Sequence, residues 1–494
     1  MNGVDQPSQH LIRNMLTGSI RIFFAEVLII PVGFITAVFL ARQLGPVNFG
    51  LFAVALRLVT WIEWTSLTVF YGATVKFVSE EDNWRAVGTT VIRLNLMVGL
   101  GIAAIIWTMS SPLARAFDEP AMASYLKLFA IDVPVFCLFS VHSSILVGRG
   151  LFRERAWTGS TYWIARLALI VLFVEMGLSV TGAIAGVIGA SMVGLILSRF
   201  FVHPPVFSGA TFPMRRLLSF SAPVFMSSMS LRILRLDVIA LKVLGATAAQ
   251  VGFYSAGQSL SIHTSLLSGS LSPPLLSTLT RLIKQGDESK AKEIGTTALR
   301  LVVWLLPLAT MTAGAATEIV DLVFGREFVS AGPILAFLIF GAVGFIGVTM
   351  ARAIMLAIGR PGWTFVVTGP VLPIALIGYL ILIPWIGGVG AAIVTTCATC
   401  LVAVASFLAV YKLWGILPPA KTCIKSVVCS GLALAMAVFW PVSGLMVILK
   451  IVAIMATIFI VFLLLGDFTA GEVALIRTLV RRKEWSDEDE IEAQ

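Results

Sequence analysis

The chain has 494 residues, of which 58% are hydrophobic and only 12% charged, with a net charge of +9 and a mean hydropathy of +0.97. Soluble globular domains carry about 25% charged residues, so the composition excludes a soluble fold and predicts an all-α polytopic membrane protein surrounded by membrane lipids. The positive charge is spread over alternate loops between apolar runs, a membrane-topology pattern that excludes nucleic acid as a partner.

A helix needs about 20 apolar residues to cross about 30 Å of hydrocarbon, and such runs recur from Ile20 to Leu465. The first, residues 18–41, contains Glu26; it lacks a small-residue cleavage site and exceeds a signal-peptide core, which predicts a retained spanning helix. The second, 49–74, carries Glu63 and places Arg57, Trp61, Trp64 and Tyr71 on one helical stripe. The third and fourth, 88–109 and 122–147, hold Arg93, Lys127 and Asp132. The fifth, 157–176, sets Tyr162 and Trp163 beside Arg166, and the sixth, 180–202, opens on Gly182 and Ala183. Residue 203 closes a first lobe of six helices. Pro204, Pro205 and Pro213 mark residues 204–216 as the linker to a second lobe.

That lobe, residues 217–412, begins with the most informative span, 217–242, where Ser221, Ser228, Arg232, Arg235 and Lys242 share a stripe facing a wet space. At 100° per residue Asp237 lies about 140° from Arg232 and about 160° from Arg235, so its partner must come from another helix. Span 251–278 carries His263 among Ser259, Ser261, Thr264 and Ser265, a hydrogen-bonded core position rather than a proton relay. Spans at 294–315 (with Arg300), 331–351, 362–384 and 388–410 complete the lobe. Two further spans, 423–442 and 445–465, form an appended pair within residues 413–466. The tail, 467–494, passes from RRK to SDEDEIEAQ and reads as a solvated end. All five cysteines lie within or at the ends of apolar runs, so no disulfide framework is implied; Cys397 and Cys400 form a CxxC that reads as small apolar side chains in a packed helix, not a metal or redox site.

Fourteen spans place both termini on one side. That side collects 23 of the 35 lysines and arginines and the other only five, which assigns the termini to the cytoplasm. The remaining seven, Arg57, Arg93, Lys127, Arg166, Arg232, Arg235 and Arg300, lie within spans. A charge at the bilayer centre costs about 2.5–3.5 kcal/mol, so each needs a cavity, a partner or an interface. Arg93, Lys127 and Arg300 are near helix ends and can snorkel. Arg57, Arg166, Arg232 and Arg235 are too deep and are expected to line a cavity. Their planar forks suit phosphate oxygens, and Trp61, Trp64, Tyr162 and Trp163 are candidates to stack on sugar rings, with interfacial or packing roles as the alternative. Glu26, Glu63, Asp132 and Asp237 are read first as charge partners of the arginines and second as proton or sodium sites.

An internal repeat runs through the chain at a spacing of about 200 residues. Leu44 and Gly45 precede FGLFA from Phe49 as Leu244 and Gly245 precede GFYSA from Gly252; SPLARAFDEPAMASYLKLF from Ser111 matches EIVDLVFGREFVSAGPILAFL from Glu318; Gly182-Ala183 matches Gly390-Ala391. Six helices per half give two pseudo-symmetric lobes of like orientation, which enclose a cavity between them.

The stretch LARQLGPVNFGLFA from Leu40, VDLVFGREFVSAGPIL from Val320 and the Gly-Ala openings resemble the Wzx-type polysaccharide flippases of the multidrug/oligosaccharidyl-lipid/polysaccharide exporter superfamily over nearly the whole chain. The resemblance implies a non-enzymatic flippase of a bacterial inner membrane. Its cargo would be an undecaprenyl-diphosphate-linked oligosaccharide, moved to the periplasmic leaflet by alternating access and passed on towards a polysaccharide polymerase and its chain-length regulator. The second half departs from the motif, reading LGATAAQVGFYSA with two extra residues and no proline, so no role is copied between halves. A lipid II flippase is a near alternative. A cation-coupled drug or metabolite antiporter fits less well, because seven basic residues against four acidic ones lie within the spans. A membrane polysaccharide polymerase would need a large extracytoplasmic loop, whereas the longest here lies around 318–332. No GxxxxGK[ST] loop is present to support ATP-driven pumping, and no cofactor is expected.

Overall fold

A computed structural model describes residues 29–205, 212–219, 221 and 236–466. These residues fold as helices without a single strand among them, and they form nine helical runs long and apolar enough to cross a bilayer. The chain is a multi-pass membrane protein.

Three of the runs are 50 residues or longer. A straight helix of that length would extend about 75 Å, more than twice the hydrocarbon thickness, and each is divided at a glycine in a conformation that side chains disfavour. Helix α1 (Ile29–Glu80) breaks at Gly45, φ 69° and ψ 173°. After α2 (Trp84–Ala116) and α3 (Pro120–Gly148), helix α4 (Phe152–Phe173) runs through a π turn containing Gly177, φ 85°, into α5 (Ser179–Phe201). Further on, α13 (Val371–Trp414) breaks at Gly387, φ 55° and ψ −130°. The three breaks fall between the spans expected at 18–41 and 49–74, at 157–176 and 180–202, and at 362–384 and 388–410.

Between these come α6 (Asp237–Val243), α7 (Ala248–Lys284), α8 (Glu288–Trp304), α9 (Leu306–Gly314), α10 (Ala316–Phe324), a 3-10 turn (Arg326–Ala331), α11 (Gly332–Ala357) and α12 (Gly362–Thr368), and α14 (Ala420–Phe439) and α15 (Met446–Leu464) follow. One expectation changes: most of the segment read as a loop around 318–332 is helical. Ile319, Val320, Leu322, Val323 and Phe324 give it an apolar face that a loop would leave unpacked, and Val320 and Phe324 are buried. The expected total of fourteen spans includes residues 18–28 and 222–235, which lie outside the described residues.

The described chain divides into two compact units. The first comprises Met1–His263, Val323–Ile334 and Ile374–Thr395; the second comprises Thr264–Leu322, Leu335–Pro373 and Thr396–Gln494. In the second unit, an apolar core gathers Leu299, Ile346, Ile354 and Val410. Helix α15 is pinned by the ion pair of buried Lys450 with Glu318, whose other oxygen accepts from the Val442 backbone N–H at 3.1 Å.

In the first unit, equivalent positions of the repeat meet. A Cβ at Gly50 would fall inside the contact radius of the Ala248 carbonyl oxygen and 2.8 Å from the Gly252 nitrogen; one at Gly252 would strike the Pro46 carbonyl oxygen. Pro46 and Ala248 each stand four residues before the glycine of their own half, so the contact is reciprocal. Small residues let the two backbones approach where any side chain would hold them apart. The Phe328 ring closes this region against Phe49 and Phe253, with centroids 5.9 and 6.0 Å away.

Candidate functional site

Two groups of charged side chains lie within the spans of the first unit. One joins α1, α6, α7 and α13. Arg57 donates from Nη2 to Gln258 Oε1 at 2.6 Å. The amide nitrogen of Gln258 donates to Asp237 Oδ2, which also accepts from the Tyr254 hydroxyl at 2.9 Å. Asp237 Oδ1 takes the backbone N–H of Val238, its helix neighbour, at 2.9 Å. The Tyr254 oxygen also lies 3.2 Å from the Thr395 hydroxyl, which accepts from Tyr379 at 2.8 Å and donates to the Ala391 carbonyl at 2.8 Å. Asp237 is 6% exposed and Tyr254 fully buried. The carboxylate thus finds the off-helix partners its wheel position requires. Arg57 meets the neutral amide of Gln258, so cation and anion are linked through one uncharged side chain.

The other group lies between α1, α3, α4 and α5. Glu63 and Asp132, 5% and 1% exposed, line one small cavity together. Glu63 Oε1 and Asp132 Oδ1 have no hydrogen-bond partner among the described residues. Arg166 is in electrostatic contact with both acids, within reach of the Tyr162 hydroxyl, and 5.2 Å from the Trp163 ring centroid. With Thr60, Trp64, Phe129, Phe136 and others, these residues line a cavity of about 40 Å³. That volume suits one or two waters, far less than a sugar ring. Tyr162 is packed by Phe139, with centroids 5.1 Å apart, and by Trp163 at 5.2 Å.

Of the residues singled out in the sequence, Arg166, Glu63, Asp132, Tyr162, Trp163 and Trp64 therefore meet at one place, and Arg57 and Asp237 at another. Trp61 is half-buried and does not line the cavity. Glu26, Arg232 and Arg235 lie outside the described residues, as does the side chain of His263. The sequence reading did not single out Gln258, Tyr254, Tyr379 or Thr395. Polar residues inside apolar spans were the available signal, but neutral side chains carry no insertion penalty large enough to mark them. It also passed over His142, buried in α3, whose Nδ1 lies 2.8 Å from the Leu138 carbonyl and whose Nε2 lies 3.4 Å from Arg199. Lys242, expected at the end of the stripe facing a wet space, is 6% exposed and paired with Glu119 at 3.0 Å.

Comparison with known proteins gives a family match to the polysaccharide biosynthesis proteins over residues 39–333. The succinoglycan biosynthesis transport protein ExoT of Rhizobium meliloti (strain 1021) is 26% identical over 162 residues; the match covers 33% of this chain and 32% of ExoT, so the chain matches about a third of that relative's length. Among solved structures, the lipid II flippase MurJ in an inward closed conformation aligns with a TM-score of 0.70 at 15% identity, over 94% of this chain and 100% of that one. An inward-facing multidrug resistance MATE family transporter of the MOP superfamily aligns with a TM-score of 0.58 at 13% identity, over 80% and 94%. A MOP superfamily transporter from Pyrococcus furiosus Vc1 aligns at 0.54 and 14% identity, over 81% and 95%. At these identities the likeness is one of fold.

Proposed function

Because the chain belongs to the polysaccharide biosynthesis protein family, we propose that it is a flippase that carries an undecaprenyl-diphosphate-linked oligosaccharide from the cytoplasmic to the periplasmic leaflet. It does so by alternating access in a bacterial inner membrane, with both termini in the cytoplasm. Lobes 1–203 and 217–412 rock about the linker 204–216, and the deep arginines Arg57, Arg166, Arg232 and Arg235 hold the diphosphate. Trp61, Trp64, Tyr162 and Trp163 meet the sugar in a conformation in which the 40 Å³ cavity beside Arg166 has opened, and Glu26, Glu63, Asp132 and Asp237 balance charge. A polymerase and its chain-length regulator take up the delivered repeat.

The observation that carries this reading is Arg57: a guanidinium within a membrane span, held by a neutral amide rather than by a carboxylate. Its charge stays available to an anion, and phosphate oxygens are the stronger acceptors for its fork. Neutralising Arg232 and Arg235 together abolishes export of the surface polysaccharide while protein abundance is unchanged; undiminished export overturns the cationic site. A lipid II flippase would use the same diphosphate chemistry. Rescue of cells depleted of their own lipid II flippase would favour that assignment, and lack of rescue favours the oligosaccharide.

A further inference from the structure

The reciprocal contact of Gly50 with Ala248 and of Gly252 with Pro46 is a seam made of backbone. From it the same two helices run on together. Arg57 stands seven residues beyond Gly50 in α1, and Gln258 six residues beyond Gly252 in α7; that is about 10 Å of helix rise. There the two side chains hydrogen-bond at 2.6 Å. One helix pair therefore carries both the seam and the bond, and the bond is the polar fastening below an apolar closure.

We propose that Gln258 is a positioning residue that ties capture of an anion at Arg57 to opening of the seam. Its orientation is fixed by Asp237, which takes the amide N–H and so turns the amide oxygen towards Arg57. A neutral oxygen is a weaker partner for a guanidinium than a phosphate oxygen. An arriving diphosphate displaces it, the bond between α1 and α7 is lost, and the seam is held by apolar packing of its small residues and of the Phe49, Phe253 and Phe328 rings. A carboxylate in place of the amide would hold Arg57 too firmly to be displaced. The identity of the anion rests on the flippase reading above; the fastening itself does not.

The test uses the full chain with its five native cysteines replaced and Ser255→Cys added. Ser255 lies one turn from both Gly252 and Gln258, and its buried hydroxyl has no hydrogen-bond partner among the described residues, so a thiol fits and reports on the seam. Reaction with a membrane-impermeant maleimide is slow, and undecaprenyl diphosphate accelerates it about tenfold, the scale expected for losing a hydrogen bond to a charged group; undecaprenol does not. Gln258→Leu reacts fast without lipid. The double variant Gln258→Glu with Asp237→Asn keeps net charge and hydrogen-bonding groups while moving the carboxylate next to Arg57; it reacts slowly and no longer responds to the diphosphate. Slow labelling of Gln258→Leu, or a wild-type lipid response in the double variant, overturns the proposal. Fast labelling of Gln258→Leu with no lipid response in the parent chain retains the fastening and removes the diphosphate.

Discussion

Gly50 and Ala248 touch through backbone alone: a Cβ at Gly50 would fall inside the contact radius of the Ala248 carbonyl oxygen. Gly50→Ala must push α1 from α7, an overpacking cost of about 1–3 kcal/mol, and export falls with thermal stability. Gly72→Ala, where nothing lies within 4 Å of the added methyl, leaves both unchanged. Thermal unfolding in detergent and surface-polysaccharide yield, measured on the two variants side by side, check the contrast.

Asp237 gathers hydrogen bonds from Tyr254 and Gln258 on a single oxygen. Tyr254→Phe removes one and leaves a buried acceptor short of a donor, at about 1–2 kcal/mol. Combined with Asp237→Asn the loss is smaller than the sum of the single losses, because the two side chains act through the same bond. A double-mutant cycle in unfolding free energy measures the coupling; strict additivity would dissolve the network.

At the second site, Glu63→Gln keeps a polar side chain of the same shape in the cavity beside Asp132 and can donate to it, so stability stays within about 1 kcal/mol of the parent. Glu63→Ala leaves Asp132 buried without that partner and costs about 2 kcal/mol or more. Equal losses in the two variants would show that Asp132 draws nothing from Glu63.

Lys450 is fully buried against Glu318 in the second unit. Lys450→Met strands the carboxylate and lowers stability by about 2–4 kcal/mol. Adding Glu318→Gln restores most of it, since replacing both charges removes the penalty of the unpaired one. Export by the double variant matches the parent, because this pair anchors α15 and touches no ligand.

How much of this was legible beforehand follows from where each signal lives. The gaps at 41–49, 176–180 and 384–388 could be placed because an apolar run long enough for two spans must divide; that each break falls on a glycine, Gly45, Gly177 or Gly387, came from the structure. That Asp237 needs a partner on another helix came from helical geometry within one span. Its actual partners, Tyr254 and Gln258, stand on the next helix, and which faces of two helices meet depends on packing that no local pattern encodes. The same holds for Glu63 and Asp132, which are 69 residues apart in sequence. The repeat was visible as FGLFA from Phe49 and GFYSA from Gly252; that Gly50 and Gly252 each lie against the other half's backbone was not. The helix Ala316–Phe324 was missed because its polar residues, Thr317, Glu318 and Asp321, suggested a loop, while its buried face needed the three-dimensional contact to be recognised.

The central claim is best tested by reconstituting the full chain in liposomes that carry an undecaprenyl-diphosphate-linked oligosaccharide, and following accessibility of its sugar to an impermeant glycosidase. The account predicts transfer between leaflets by the parent protein, and its loss in Arg57→Gln with folding intact. Sugar that stays in its starting leaflet, or transfer that is indifferent to Arg57, would contradict it.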